Sequence, residues 1–323
     1  QPRSRGLGDV YKRQFLSLDD SVLISEKAWR TGGSKMFIEQ GKRVSVLDLL
    51  KGIIIQSGND ATVALAEYVG GTEDGFVDLM NSYAASMGLS NTLFQNSTGL
   101  PDGNHFSSAK DLATMTSLLI ENFPETYSLY KEKYFEFNNI RQPNRNRLLW
   151  KDNSSDGVKT GHTESAGYCL ISSAQRNEMR LIAVVAGAES DKERFNDTQR
   201  LLEYGFRFYS TQEVIKKDNA LKDVTVWGGK EDLVSLGSEN NIKLTLPRTI
   251  FKQITITYDF QNNLRAPIKE GQVLGTLIIK DGEKALHKEN LVALNSVEAK
   301  GFFGRLWANF VLWIRSLFGL GNA

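Results

Sequence analysis

The sequence predicts an α+β protein: helices packed on an antiparallel sheet, then a small all-β domain, then an amphipathic helix. Three observations carry this. From Phe15 to about Gln212, helical spacing alternates with apolar strand-like runs. From Val224 to Leu294, short alternating runs are separated by Gly or Asn turns. From Lys300 onward the spacing is helical again. The expected divisions are residues 15–212, 213–299 and 300–323, with residues 1–14 set apart.

Residues Gln1–Gln14 carry Arg3, Arg5, Lys12 and Arg13 without apolar periodicity and join abruptly to a globular pattern at Phe15. They read as a non-native or artefactual leader. A starting methionine and a signal peptide are both missing, so the natural N-terminus is expected to lie elsewhere.

Along the first domain, Val46–Ile55 spaces Leu47, Leu50, Ile54 and Ile55 on one helical face. After Ser57-Gly58-Asn59, Val63, Leu65, Ala66 and Val69 resume the period, and Gly70-Gly71 closes it. Phe76–Met87 reads as a third helix stopped by Gly88, and Asn91–His105 as a long shaped loop. Ser108–Asn122 is helical again, with Ser107 or Ser108 as cap. Strands are expected at Tyr134–Phe137, around Lys159, at Tyr168–Ala174 and at Leu181–Ala188, before a helix at Phe195–Phe208. In the all-β part, Val224–Trp227, Ile242–Leu246, Ile254–Tyr258 and Val273–Ile279 read as strands. That part shows no paired carboxylates, nucleophile motif or phosphate loop, and fits a spacer or binding module.

Composition excludes several classes. Lys+Arg number 39 against 38 Asp+Glu, so no whole-chain field points to nucleic acid. The three histidines are scattered and Cys169 is the single cysteine, which argues against a zinc site and rules out an internal disulfide. Cys169 sits in an apolar run and reads as a small buried residue. No cofactor is called for. No uncharged apolar stretch reaches the roughly 18 residues of a spanning helix. In the last segment, Phe303, Leu306, Trp307, Phe310, Ile314 and Leu317 make an apolar face beside Lys300, Arg305 and Arg315, with no acidic residue. That pattern fits a helix lying in an anionic membrane surface; docking on its own protein is the other reading.

The chemistry centres on Asp156–Thr163, which reads Asp-Gly-Val-Lys-Thr-Gly-His-Thr. On a strand lining a cleft, Lys159 supplies a fixed positive charge and Thr160 a hydroxyl, while Gly161 lets a substrate backbone approach. Alone, the triplet is equally a lysine in a surface turn. Ser57-Gly58-Asn59, placed between two helices upstream, changes that balance.

Ser-x-Asn followed by Lys-Thr-Gly resembles two of the three motifs of the penicillin-recognising serine acyl-transferases. The chain is similar to their low-molecular-weight penicillin-binding branch, the D-alanyl-D-alanine carboxypeptidases (serine peptidase family S11). Gly52–Ala61, Met80–Tyr83, Tyr127–Lys133, Asn144–Trp150 and Asp156–His162 all carry the likeness, as do the β-rich part and the amphipathic tail. The resemblance implies a penicillin-binding-protein/β-lactamase-like transpeptidase domain. It implies Ser57 and Asn59 as catalytic residues, Ser57 relaying a proton to the leaving amine and Asn59 orienting substrate and lysine. It implies Lys159, Thr160, Gly161, His162 and Arg194 as substrate-binding residues, although Arg194 also reads as a solvated charge at a helix start. The implied partners are the peptidoglycan pentapeptide stem, β-lactam antibiotics and, through residues 300–323, an anionic membrane. The implied location is periplasmic, on the outer face of the inner membrane.

One departure matters. The family's Ser-x-x-Lys precedes Ser-x-Asn, and no such tetrad precedes Ser57. Ser107-Ser108-Ala109-Lys110 and Ser128-Leu129-Tyr130-Lys131 fit the spelling but lie downstream, as a helix cap and a surface stretch. The expectation is an N-terminally truncated D-Ala-D-Ala carboxypeptidase without acyl-enzyme chemistry. A β-lactamase, a D,D-endopeptidase and a non-catalytic envelope module are the other readings.

Overall fold

A computed structural model describes residues 17–260 and 263–317. The leader, residues 1–14, and the end of the terminal segment lie outside the described residues. The chain divides into two compact units between Arg207 and Phe208.

In the first unit, β1 (Ser21–Leu23) pairs antiparallel with β2 (Arg43–Ser45), with α1 (Glu26–Arg30) between them. Ser45 then caps α2 (Val46–Lys51), its hydroxyl accepting the Asp48 N–H at 3.0 Å. The single helix expected over Val46–Ile55 is interrupted: Gly52–Gln56 forms a π-turn. The buried face is Val46 and Leu49 before the turn and Ile54 and Ile55 within it, while Leu47 and Leu50 are only part-buried. A strict 3.6-residue period could not anticipate that turn.

α3 (Asn59–Gly70) ends at Gly71, whose φ of 78° is the left-handed conformation glycine adopts cheaply. α4 (Glu73–Ser86) starts three residues before the apolar pattern does, because Thr72 caps a polar first turn. Residues Asn91–His105 form a loop pinned by the Leu93–Phe106 bridge and by Asp111, which accepts from the Asn91 N–H and the Thr92 hydroxyl, each at 2.8 Å. Ser108 caps α5 (Ala109–Asn122). A short α6 (Pro124–Tyr127) and a 3₁₀ turn (Ser128–Lys131) lead into the hairpin β3 (Tyr134–Phe137) and β4 (Ile140–Pro143), then α7 (Leu148–Lys151).

The scaffold of the unit is an antiparallel sheet of β5 (Ser155–Thr163), β6 (Gly167–Arg176) and β7 (Met179–Ala188), in that order. α8 (Asp191–Phe208) follows, its first turn starting four residues before the expected Phe195. Val22, Ile24, Met36, Leu49, Ile54, Ile55 and Val63 belong to one buried cluster around α2 and α3. Each such side chain contributes roughly 1.5–3 kcal/mol by leaving water.

Among the described residues, the second unit is β-rich, with a 3₁₀ turn at Ile250–Lys252 and a last helix. β8 (Tyr209–Ile215) pairs with β11 (Ile242–Pro247), so the division expected at 212/213 falls inside a strand. A six-stranded sheet runs in the order β12 (Ile254–Phe260), β14 (Val273–Asp281), β15 (Lys284–Ala293), β10 (Leu233–Gly237), β9 (Lys222–Trp227), β13 (Leu264–Arg265). Val234, Leu236, Leu277, Ile279 and Leu291 are fully buried and form its core. α9 (Phe302–Leu317) exposes Phe302, Phe303, Leu306, Trp307 and Phe310. No helix among the described residues is long and apolar enough to cross a membrane.

Candidate active site

The site begins at the π-turn. Gly52 is buried so tightly that a Cβ there would sit 2.3 Å from Met36 Sδ. The turn ends at Ser57, held in the left-handed region with φ 63° and ψ 38°, an uncommon and strained state for a non-glycine residue. Two backbone bonds hold it there: Ser57 N–H to Ile53 O and Gly58 N–H to Gly52 O, both 3.1 Å. Next to it, the fully buried Asp60 carboxylate accepts the N–H groups of Met36 and Phe37 at 2.9 Å and of Ile38 at 3.3 Å. That carboxylate ties the Ser-x-Asn corner to the preceding loop.

Opposite the corner runs β5. Asn146, 1% exposed, donates to Gly157 O at 2.9 Å, and Ser172 donates to the same oxygen at 3.0 Å, fixing the strand two residues ahead of Lys159. The Lys159 ammonium donates to the Ser57 hydroxyl and, at 3.0 Å, to Thr160 O. Burial lowers its pKa from 10.5 to about 7, and the charges of Arg145 and Arg194 push the same way. The lysine therefore is not the fixed positive charge expected from sequence. It titrates near neutrality, where a proton can be given or taken.

Arg194 lies in the first turn of α8 and is 7% exposed, so it is not a solvated helix-start charge. Its guanidinium donates to Gly161 O at 3.0 Å and Cys169 O at 3.4 Å and pairs with Asp191. Among the described residues, its buried Nε has no hydrogen-bond partner. The guanidinium also lies 5.3 Å over the Tyr168 ring, which in turn packs 4.0 Å from the exposed His162 ring. Thr160 is 8% exposed, on the other side of the strand from Lys159 by alternation. Gly161 is paired across the sheet with Cys169, which is half-buried rather than the core residue expected.

The structure thus brings Ser57 to Lys159, and Gly161 to Arg194 and, through Tyr168, to His162. Asn59 stands apart in one respect: its amide donates to Gly32 O at 2.9 Å, with no hydrogen bond to Lys159. Ser108 caps α5, Ser107 bonds Thr92 at 2.8 Å, and Ser128 donates to Glu125 O at 2.6 Å, so these serines serve local structure. Arg145 was given no role by sequence reasoning, yet its charge acts on Lys159. The Asn144-Arg145-Asn146 alternation was the available signal: two buried asparagines clamp the backbone on either side of one cation.

Beside Lys159 opens a cleft of about 610 Å³, lined by Leu118, Leu119, Tyr130, Val158 and Ile171 among others. It shares Met87, Met115, Asn122 and Phe123 with a second cleft of about 560 Å³ that runs to Val69. The two clefts therefore adjoin, and most of their lining side chains are apolar.

Comparison with known proteins identifies the family. The D-alanyl-D-alanine carboxypeptidase family, peptidase S11, matches residues 7–190, and the penicillin-binding protein 5 C-terminal domain matches residues 209–299. The chain is 44% identical over 321 residues to D-alanyl-D-alanine carboxypeptidase DacC of Escherichia coli, covering 97% of this chain and 80% of that relative. Penicillin-binding protein 5 from Haemophilus influenzae superposes with a TM-score of 0.79 at 39% identity, covering 91% of this chain and 88% of the other. Penicillin-binding protein D2 from Listeria monocytogenes, solved in its ampicillin-bound form, gives 0.55 at 32% identity over 62% of this chain and 81% of its own. The chain belongs to the D-alanyl-D-alanine carboxypeptidase family S11, with a penicillin-binding-protein-like transpeptidase domain followed by the all-β C-terminal domain, and is by family a cell-wall hydrolase.

Proposed function

We propose that the parent of this chain removes the terminal D-alanine from peptidoglycan pentapeptides, and that the 323-residue polypeptide itself binds such peptides without hydrolysing them. The observation that supports the binding half is that the charges of Arg145 and Arg194 act on Lys159, a buried lysine whose charged form a C-terminal carboxylate would favour. In the parent, a serine hydroxyl attacks the penultimate carbonyl carbon, its proton passing through Ser57 to neutral Lys159, and the C–N bond to the last residue breaks. The departing amine takes its proton through Ser57 from Lys159, and water then releases the acyl group. Thr160 and His162 are proposed as further substrate-binding residues, and Asn59 as the residue that steers the substrate amide.

The inactivity half rests on the serines of the two Ser-x-x-Lys spellings within the sequence being engaged locally, Ser107 with Thr92 and Ser128 with Glu125 O. Penicillin reaction by the intact parent is inferred from the relative solved with ampicillin. We further propose residues 15–212 as the partial peptidase domain, 213–299 as a spacer, and residues 300–323 as an anchor in an anionic membrane, which would place the enzyme in the periplasm. The exposed aromatic face of α9 supports the anchor.

Intact mass measurement after incubation with a penicillin tests the chemistry. The expected result is no covalent adduct, together with measurable binding of a D-Ala-D-Ala peptide. A stoichiometric adduct would show that a serine within these residues is acylated and would sink the inactivity proposal. Sedimentation with anionic liposomes tests the anchor; equal pelleting with and without residues 300–323 would remove it.

A further inference from the structure

Outside the site, one surface has a composition that core packing does not explain. On the hairpin, Phe135 points inward at 6% exposure, while Tyr134 on the other face is 46% exposed. Trp150, from α7, is 38% exposed and meets Tyr134 edge-on, with ring centroids 5.9 Å apart at 82°. Arg141 lies 4.1 Å over the Tyr134 ring and Lys133 Nζ 5.9 Å over the Trp150 ring. Neither cation forms an ion pair among the described residues, so both keep donors free beside an apolar platform.

We propose that Tyr134 and Trp150 bind the glycan strand to which the stem peptide is attached. Pyranose rings present flat C–H faces that stack on aromatic rings, and a rim of hydroxyls and N-acetyl oxygens that accept hydrogen bonds from cations such as Lys133 and Arg141. Charge complementarity favours the same occupant, since stem peptides hang carboxylates beside the sugars. The reach also fits. Trp150 is five residues from Arg145 in the chain, so their Cα atoms lie no more than about 18 Å apart. An extended pentapeptide spans about the same length. A stem whose terminal carboxylate sits at Lys159, Arg145 and Arg194 thus has the length to place its sugar on Trp150. This inference rests on the carboxypeptidase reading and adds to it a second, sugar-binding subsite.

The test titrates the full 323-residue chain by calorimetry with two separate probes: a β-1,4-linked N-acetylglucosamine tetramer, and a free pentapeptide ending in D-Ala-D-Ala. The tetramer is expected to bind, and Trp150→Ala to weaken it at least about tenfold while leaving pentapeptide affinity within about twofold. Tyr134→Ser, on a different element, must give the same selective loss, which separates loss of the platform from local unfolding of α7. Pentapeptide binding with no tetramer binding, or tetramer binding indifferent to both variants, overturns the platform and leaves the peptide reading standing. Self-association that Trp150→Ala abolishes, with no tetramer binding, assigns the surface to a second copy and also overturns it. Failure of the pentapeptide alone removes the peptide reading instead.

Discussion

At the scale of single residues, Lys159 makes the sharpest statement. Its folded pKa, about 7, lies below the 10.5 of an exposed lysine. Between those two values the unfolded chain binds more protons than the folded one, so stability rises as pH climbs through that window. Below pH 7 the cost of the buried charge is present in full. Urea midpoints measured from pH 6 to 10 should climb, and Lys159→Met should flatten the climb; a flat wild-type profile would contradict the buried titration. Binding should run the other way. A substrate carboxylate favours the charged lysine, so the Kd of a D-Ala-D-Ala peptide should increase as pH rises past 7. Asp60 offers a second check. Its carboxylate is fully buried and accepts four backbone N–H groups, from Met36, Phe37, Ile38 and Ala61. Asp60→Ala should cost about 3 kcal/mol or more, read as a shift in denaturation midpoint, because those donors lose their partner inside the protein.

At the scale of elements, the π-turn at Gly52–Gln56 decides where the Ser-x-Asn corner points. Gly52→Ala forces a methyl group against Met36, and should cost about 1–3 kcal/mol in chemical denaturation. Gly41→Ala, where nothing lies within 4 Å, should cost only the strain of its φ of 74°, so the two variants separate packing from conformation. These elements also show how far the sequence could be read. The strand holding Lys159, the cap at Ser108 and the short β-runs of the second unit were legible, because glycine stops, polar caps and alternation are local signals. The π-turn was not, since a helix and a widened helix share one apolar pattern until the partner surface, here Met36, is in place. The early starts of α4 and α8 were hidden by polar first turns. Ser57 and Lys159 were found as a pair because their spellings are distinctive. Arg145 was missed because one arginine in a polar stretch has no spelling of its own; only the fold sets its charge near Lys159.

At the scale of the whole chain, the two units differ in how completely their apolar surface is enclosed. The second unit closes Val234, Leu236, Leu277, Ile279 and Leu291 into a sheet core with almost no access to water. In the first unit, clefts of about 560 and 610 Å³ leave Phe76, Met80, Met87, Met115 and Leu119 facing open space. Voids of that kind forfeit both transfer free energy and contact energy, as large-to-small core substitutions do. Residues 17–207 should therefore open at lower denaturant than residues 208–299. Hydrogen exchange followed by mass spectrometry on the whole chain reads this directly, because peptides from α4, α5 and β5 report on one unit and those from β10, β14 and β15 on the other. The expected pattern is earlier exchange throughout the first unit, with a fluorescent apolar dye bound under native conditions and released by ligands that fill the cleft. Equal protection in both units would mean that the clefts are closed in solution.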